Sequence, residues 1–167
     1  MTDQSTGSKM SDSAALPDPQ AQKLAIQGLT NRVMRGMLRT PLLSRAVGGR
    51  LVTLYFTGRK SGRQYTLPVA YLPYEGDLLI GTPFKWGRNL RTGDTIKVRL
   101  KGRLREADVR AYSDEADVVH LYGVICRGNH AFANFNKIGL DADGNPKRED
   151  LHLAWLAGAR AFRLTPR

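Results

Sequence analysis

From Leu51 onward the apolar residues recur at every second position, in short runs cut by glycine-bearing turns, and this constrains the fold more than any other feature. Leu51–Thr57 (LVTLYFT) is rich in β-branched and aromatic residues and reads as a strand. Gly58–Arg63 (GRKSGR) is a turn-forming connection. Tyr65–Pro73 alternates Tyr65, Leu67, Val69 and Tyr71 against smaller residues, a second strand, with Pro68 inside it marking an edge or a bulge. Tyr74-Glu75-Gly76-Asp77 signals a hairpin into a short strand, Leu78–Thr82. Residues 83–93 form a loop with one helical turn. Thr95–Lys101 sends Ile96, Val98 and Leu100 inward and Lys97, Arg99 and Lys101 outward, and Gly102 turns the chain into Arg103–Ala111.

Helical spacing flanks these strands. Over 20–39, Ile26, Leu29, Val33 and Met37 make an apolar stripe opposed by Arg32, Arg35 and Arg39, and Pro41 ends it. Ser113 is placed to cap a helix running to about Cys126, with Asp114 and Glu115 in its first turn. Asp150 is placed to cap a short helix over 151–157, and Ala159–Leu164 gives a last strand. Residues 1–18, rich in Ser, Asp, Thr and Pro, have little to bury and read as a disordered tail. The expectation is therefore a tail over 1–18 and one domain over 19–167, mainly β with flanking helices, built on a small barrel or rolled sheet.

Composition narrows the classes. A chain of 167 residues is long enough to bury a core without staples, and its single cysteine, Cys126, excludes an internal disulfide and a cysteine-rich zinc site. No apolar run approaches the roughly 20 residues of a spanning helix, and the N-terminus lacks the apolar stretch of a secretory signal. A cytoplasmic protein is expected, with the basic helix 20–39 able to lie on the inner membrane face.

Charge is the first functional clue. The net charge is +11, and between Asp18 and Glu75 nine bases stand without one acid: Lys23, Arg32, Arg35, Arg39, Arg45, Arg50, Arg59, Lys60 and Arg63. Such a field attracts anions, whether nucleic acid, anionic lipid or an acidic small molecule. In TGRKSGR (57–63), glycines free the backbone to aim amides at one spot while Arg59, Lys60 and Arg63 offer partners for phosphate or carboxylate oxygens. The same segment also reads as an ordinary solvated hairpin, and it is not a Walker loop. In KWGRNL (85–90), Trp86 beside Lys85 and Arg88 can stack a planar ring, although a lone loop tryptophan more often plugs the edge of a core. Lys97, Arg99, Lys101, Arg103 and Arg105 suggest a basic plank on two strands, bare of the aromatics that an RNA-reading sheet needs.

Acid–base and metal chemistry find no purchase. His120, His130 and His152 have no metal-ligand spacing. DADGN (141–145) imitates a calcium loop but puts Pro146 where that loop needs glycine and His152 where it needs glutamate. Ser61 lacks a nucleophile elbow. Tyr112, Tyr122, Phe132 and Phe135 are core or line an apolar pocket. An enzyme built this way leaves its chemistry to an organic cofactor.

Residues 51–72 (LVTLYFTGRKSGRQYTLPVAYL), followed by LLIGTP (78–83), KWGRNL (85–90) and IKVRLKGR (96–103), resemble the deazaflavin (coenzyme F420)-dependent nitroreductase family. The likeness spans roughly 20–125. It implies a split β-barrel of the FMN-binding, pyridoxamine-phosphate-oxidase-like kind, and hydride transfer from reduced coenzyme F420 to a quinone or nitroaromatic acceptor. By the same resemblance Arg59, Lys60, Ser61, Gly62 and Arg63 hold the acidic tail of the coenzyme. Tyr65, Thr66 and Pro68 border it, and Gly81, Thr82, Lys85, Trp86 and Asn89 lie along its groove. Thr66 stands where many members carry a base, with Arg63 as its substitute. Phe132 and Phe135 stand where the acceptor pocket has tyrosines. No catalytic side chain is assigned and no metal is expected. Two alternatives stay open: a barrel binding FMN or a lipid without turnover, and a basic protein of membrane surfaces or nucleic acid, the latter without sequence specificity. Pairing of two barrels is expected by analogy alone.

Overall fold

The computed structural model describes residues 50–167. The tail over 1–18 and the amphipathic helix over 20–39 lie outside the described residues. Within them the order is β1 (Leu51–Thr57), β2 (Gln64–Ala70), β3 (Leu72–Tyr74), β4 (Asp77–Thr82), a 3-10 helix (Lys85–Asn89), β5 (Thr95–Leu100), β6 (Arg103–Tyr112), three α-helices and β7 (Arg160–Pro166). The helices are α1 (Glu115–Gly128), α2 (His130–Phe135) and α3 (Arg148–Leu156).

The strands form one antiparallel sheet in the order β2-β1-β5-β6-β7-β4-β3. Its two edge strands, β2 and β3, are separated in sequence by Tyr71 alone. A sheet whose opposite edges sit one residue apart must curl until they meet, and this curl makes the half-barrel. The expected strand 65–73 is thus two strands broken at Tyr71, whose amide still donates to the Arg50 carbonyl at 3.0 Å. Pro68 and Pro73 both fall on these edges, where a missing N–H does least harm.

Period-two alternation fills the concave side. Val52, Leu54, Phe56, Ile96, Val98, Val109, Phe162 and Leu164 are buried there with Leu78 and Ile80. Residue Leu79 points the other way, under Val118, Leu121, Tyr122 and Ile125 of α1. β4 is therefore apolar on both faces, as its run LLI requires. The hairpin at Glu75-Gly76 turns with φ of 50° and 84°, the left-handed pair that a tight two-residue β-turn needs.

Three sequence expectations need correction. Asp114, not Ser113, caps α1, its carboxylate accepting from the Asp117 amide at 3.2 Å, and the helix runs on to Gly128. Asp150 caps nothing: α3 begins earlier, at Arg148, and the Asp150 carboxylate instead accepts from the Gly139 amide at 2.8 Å, tying down the connection before the helix. The basic plank is also divided. Arg105 pairs with Val98 and Arg103 with Leu100, so both arginines share the concave face, whereas Lys97 pairs with Glu106 and Arg99 with Leu104 on the convex one. Two strands meeting in a two-residue turn at 101–102 keep one register, and that register puts the bases on opposite sides.

Candidate functional site

Gly58 opens the hairpin between β1 and β2. Its amide donates to the Arg63 carbonyl at 2.7 Å and its own carbonyl accepts from the Gly62 amide at 2.8 Å, closing a tight turn around Arg59, Lys60 and Ser61. Gly62 sits at φ 63°, the left-handed geometry that glycine accepts without strain. A side chain at Gly58 has no room: a Cβ there meets Ser61 Oγ at 2.6 Å and Tyr65 at 2.7 Å. Ser61 Oγ accepts from the Arg63 amide at 3.3 Å.

The 3-10 helix Lys85–Asn89 docks against this turn. The Arg59 amide donates to Asn89 Oδ1 at 3.0 Å, and Arg59 Nε donates to the Asn89 carbonyl at 3.0 Å. The Arg59 guanidinium then reaches Asp94, with Nη2 at 2.9 Å from each carboxylate oxygen. Asn89 Nδ2 donates to the Trp86 carbonyl at 2.9 Å, which ties the loop to itself. The two segments that the sequence singled out therefore meet in space.

Arg59 is engaged through its amide, Nε and Nη2 by Asn89 and Asp94, and Asn89 by Arg59 and the Trp86 carbonyl. Trp86 is 6% exposed and packs between Phe56 (ring centroids 6.0 Å apart) and Phe162 (6.2 Å), so its indole plugs the concave core. Among the described residues Lys60, Arg63, Lys85 and Arg88 are exposed and enter no ion pair.

The strand residues separate by parity. Tyr65 stacks on Phe56, with centroids 5.3 Å apart, at the concave face. Thr66 pairs with Tyr55 and Pro68 with Thr53 on the opposite, convex face, away from the hairpin cations' neighbours in the core. Thr82 is buried and its hydroxyl accepts from the Phe84 amide at 3.1 Å. Gly81 faces α1 and α2 instead. A Cβ there meets Phe132 Cζ at 2.6 Å and both Ile125 and Tyr122 at 3.0 Å.

Beside Gly81 lies a small apolar depression, lined among others by Tyr71, Leu72, Ile125, Asn129 and Phe132. Phe84, one residue before the 3-10 helix, meets Phe135 of α2 edge-on at 6.1 Å, and Phe135 is 55% exposed. The chain from Gly81 to Asn89 thus links the depression, the contact of half-buried Phe84 with exposed Phe135, and the segment docked on the cationic turn. Behind the depression, the Tyr122 hydroxyl is fully buried with no hydrogen-bond partner among the described residues. Burial raises its pKa, and burial also pushes the neighbouring Cys126 thiol up to about 12.

Sequence reasoning missed Asp94 and the Phe84–Phe135 pair. Asp94 had a signal, as the acid after Gly93 in a turn crowded with bases, but nothing local pairs it with a residue 35 positions away. The loop 141–145 explains its own composition: Asp141 Oδ1 accepts from the Asp143 and Asn145 amides at 3.0 and 2.8 Å, an Asx-type turn. Compared with models of protein families and with curated proteins, the chain matches none.

Proposed function

We propose that the protein is a deazaflavin-dependent oxidoreductase, a split β-barrel of the FMN-binding type that uses reduced coenzyme F420 to reduce a planar apolar acceptor such as a quinone or nitro compound. One observation carries this reading: the Arg59–Asn89 contact docks the cationic turn on the loop 85–89, which follows directly on Phe84 and its contact with the exposed Phe135. A flat molecule with an acidic tail needs those two environments side by side. The curled antiparallel sheet is the scaffold that such a barrel is made from.

The residues fit the acidic tail. Lys60, Arg63 and Lys85 are exposed, unpaired cations on the two docked segments, and phosphate or carboxylate oxygens suit them. They fit the ring differently from the place the resemblance implies, because Trp86 is buried while Phe135, in contact with half-buried Phe84, is exposed. When bound, the reduced deazaflavin supplies a hydride, and the proton that completes the two-electron reduction comes from solvent. The chain's own part is to hold the tail, present an apolar wall through Phe132 and Phe135, and keep water from the reacting faces. The nucleic-acid alternative rests on the overall charge of +11 and not on the plank, whose bases the register divides between two faces.

Titration of the full chain with coenzyme F420, and separately with FMN, tests the reading. Wild type binds the coenzyme at tens of micromolar or tighter, and Lys60→Ala weakens it about tenfold, the cost of one charge-assisted contact. Reduced coenzyme plus a quinone then gives turnover in the absorbance spectrum. No binding by folded wild type sinks the proposal. FMN retained through purification with no F420 turnover moves the assignment to a flavin-binding barrel.

A further inference from the structure

Arg59 lies in the cationic turn, yet its guanidinium is already engaged by the protein itself through Nε and Nη2. Both Nη2 contacts go to Asp94 at 2.9 Å, Nε goes to the Asn89 carbonyl, and the amide goes to Asn89 Oδ1. Asp94 is itself fixed. Its Oδ2 accepts from the Arg91 amide at 2.7 Å, and its backbone is locked to β6 through Val109, whose amide donates to the Asp94 carbonyl at 2.8 Å. The turn 58–63 is thus anchored through one arginine to the body of the sheet.

We propose that Asp94 is a positioning residue of the anion site: by fixing Arg59 it sets the conformation of the turn 58–63, so that Lys60 and Arg63 are presented in one arrangement. The proposal rests on reading that turn as the cradle for the coenzyme's acidic tail. Preorganisation raises affinity because a ligand then does not have to order the loop that binds it. A carboxylate at the edge of an anion site is otherwise a liability, since it repels the ligand.

These two effects have opposite signs, and the difference makes the test. Asp94→Asn removes one negative charge and frees Arg59, so the electrostatic field alone predicts tighter anion binding. Loss of positioning predicts weaker binding. The full chain and its Asp94→Asn and Asp94→Glu variants are titrated with oxidised coenzyme F420. In parallel, ligand-free hydrogen exchange is followed at the Arg59 and Gly62 amides, both bonded within the clasp. The expected result is binding weaker by about tenfold in Asp94→Asn with faster exchange confined to 58–63, and partial recovery of both in Asp94→Glu. Equal or tighter binding by Asp94→Asn overturns the proposal. If Asp94→Asn fails to fold, Arg59→Lys decides: it keeps the charge but loses the fork, and unchanged affinity in that variant overturns the proposal equally. If wild type binds no coenzyme, the proposed function falls. The positioning role is then decided by exchange alone, supported by faster exchange at Arg59 and Gly62 and sunk by unchanged rates.

Discussion

The Arg59 amide donates to the Asn89 side-chain carbonyl at 3.0 Å, across 30 positions of sequence. Two loops that each look like solvated connections are joined there. The joint docks the segment that carries Lys60 and Arg63 on the segment that carries Lys85 and Arg88.

Asn89 serves this joint at both ends, accepting from Arg59 and donating through Nδ2 to the Trp86 carbonyl at 2.9 Å. Asn89→Ala is expected to lower stability by about 1–3 kcal/mol, the range for losing partly buried hydrogen bonds whose partners stay behind. Asn89→Asp is no rescue, since the oxygen that replaces Nδ2 faces the Trp86 carbonyl oxygen. Denaturant unfolding ranks the variants. An aspartate variant as stable as wild type contradicts the geometry.

Trp86 packs between Phe56 and Phe162 on the concave side, with Gly87 against Thr82 and Phe162. Trp86→Ala is expected to cost about 3–5 kcal/mol, as for large buried aromatics. Trp86→Phe keeps most of the apolar fill and is expected to leave coenzyme affinity within about threefold of wild type, a change of under 1 kcal/mol. Loss of binding in a folded Trp86→Phe protein restores the stacking role that the loop sequence suggested.

The contrast between these residues says what a sequence can carry. Strand β1 was legible residue for residue, because Val52, Leu54 and Phe56 alternate against Thr53, Tyr55 and Thr57, and alternation is a local signal. The pairing of Arg59 with Asp94 was not, because it depends on how the sheet curls, which follows from β2 and β3 being separate edges. The burial of Trp86 agrees with the reading of a lone loop tryptophan as a plug at the edge of the core. Register decided the basic residues. One hairpin at 101–102 sends Arg105 and Lys97 to opposite faces: Arg105 shares the parity of buried Ala107 and Val109, whereas Lys97 alternates with buried Ile96 and Val98. Asp114 won the α1 cap over Ser113 because its carboxylate, one residue nearer the helix, reaches the Asp117 amide.

Tyr122 is fully buried on α1, against Phe132 with ring centroids 5.2 Å apart, and its hydroxyl has no partner among the described residues. An unpaired buried hydroxyl costs about 1–3 kcal/mol of desolvation. Tyr122→Phe removes that cost and keeps the ring, so the variant is expected to match wild type or to gain about 1 kcal/mol in thermal or urea unfolding. A loss of more than about 1 kcal/mol shows instead that the hydroxyl is bonded in solution.

Cys126 stands one helical turn after Tyr122 and is likewise fully buried. Burial raises its thiol pKa to about 12, with the Arg127 charge pulling weakly the other way. In the unfolded chain the thiol titrates near about 8.5. Below that pH both states hold the proton, and the group adds no slope. Between about 8.5 and 12 the unfolded chain releases its proton while the folded chain keeps it, so stability falls as pH rises, by about 1.4 kcal/mol per unit from this group alone. Other tyrosines and lysines titrate in the same window, so the measurement is a difference. Unfolding free energies of wild type and Cys126→Ala are compared at pH 8, 9 and 10, approximate settings chosen to bracket the unfolded thiol. The alanine variant starts lower because it opens a cavity, and the gap is expected to narrow toward pH 10 as only wild type loses stability through the thiol. Parallel lines mean that the native thiol ionises as freely as the unfolded one, and that α1 does not bury it.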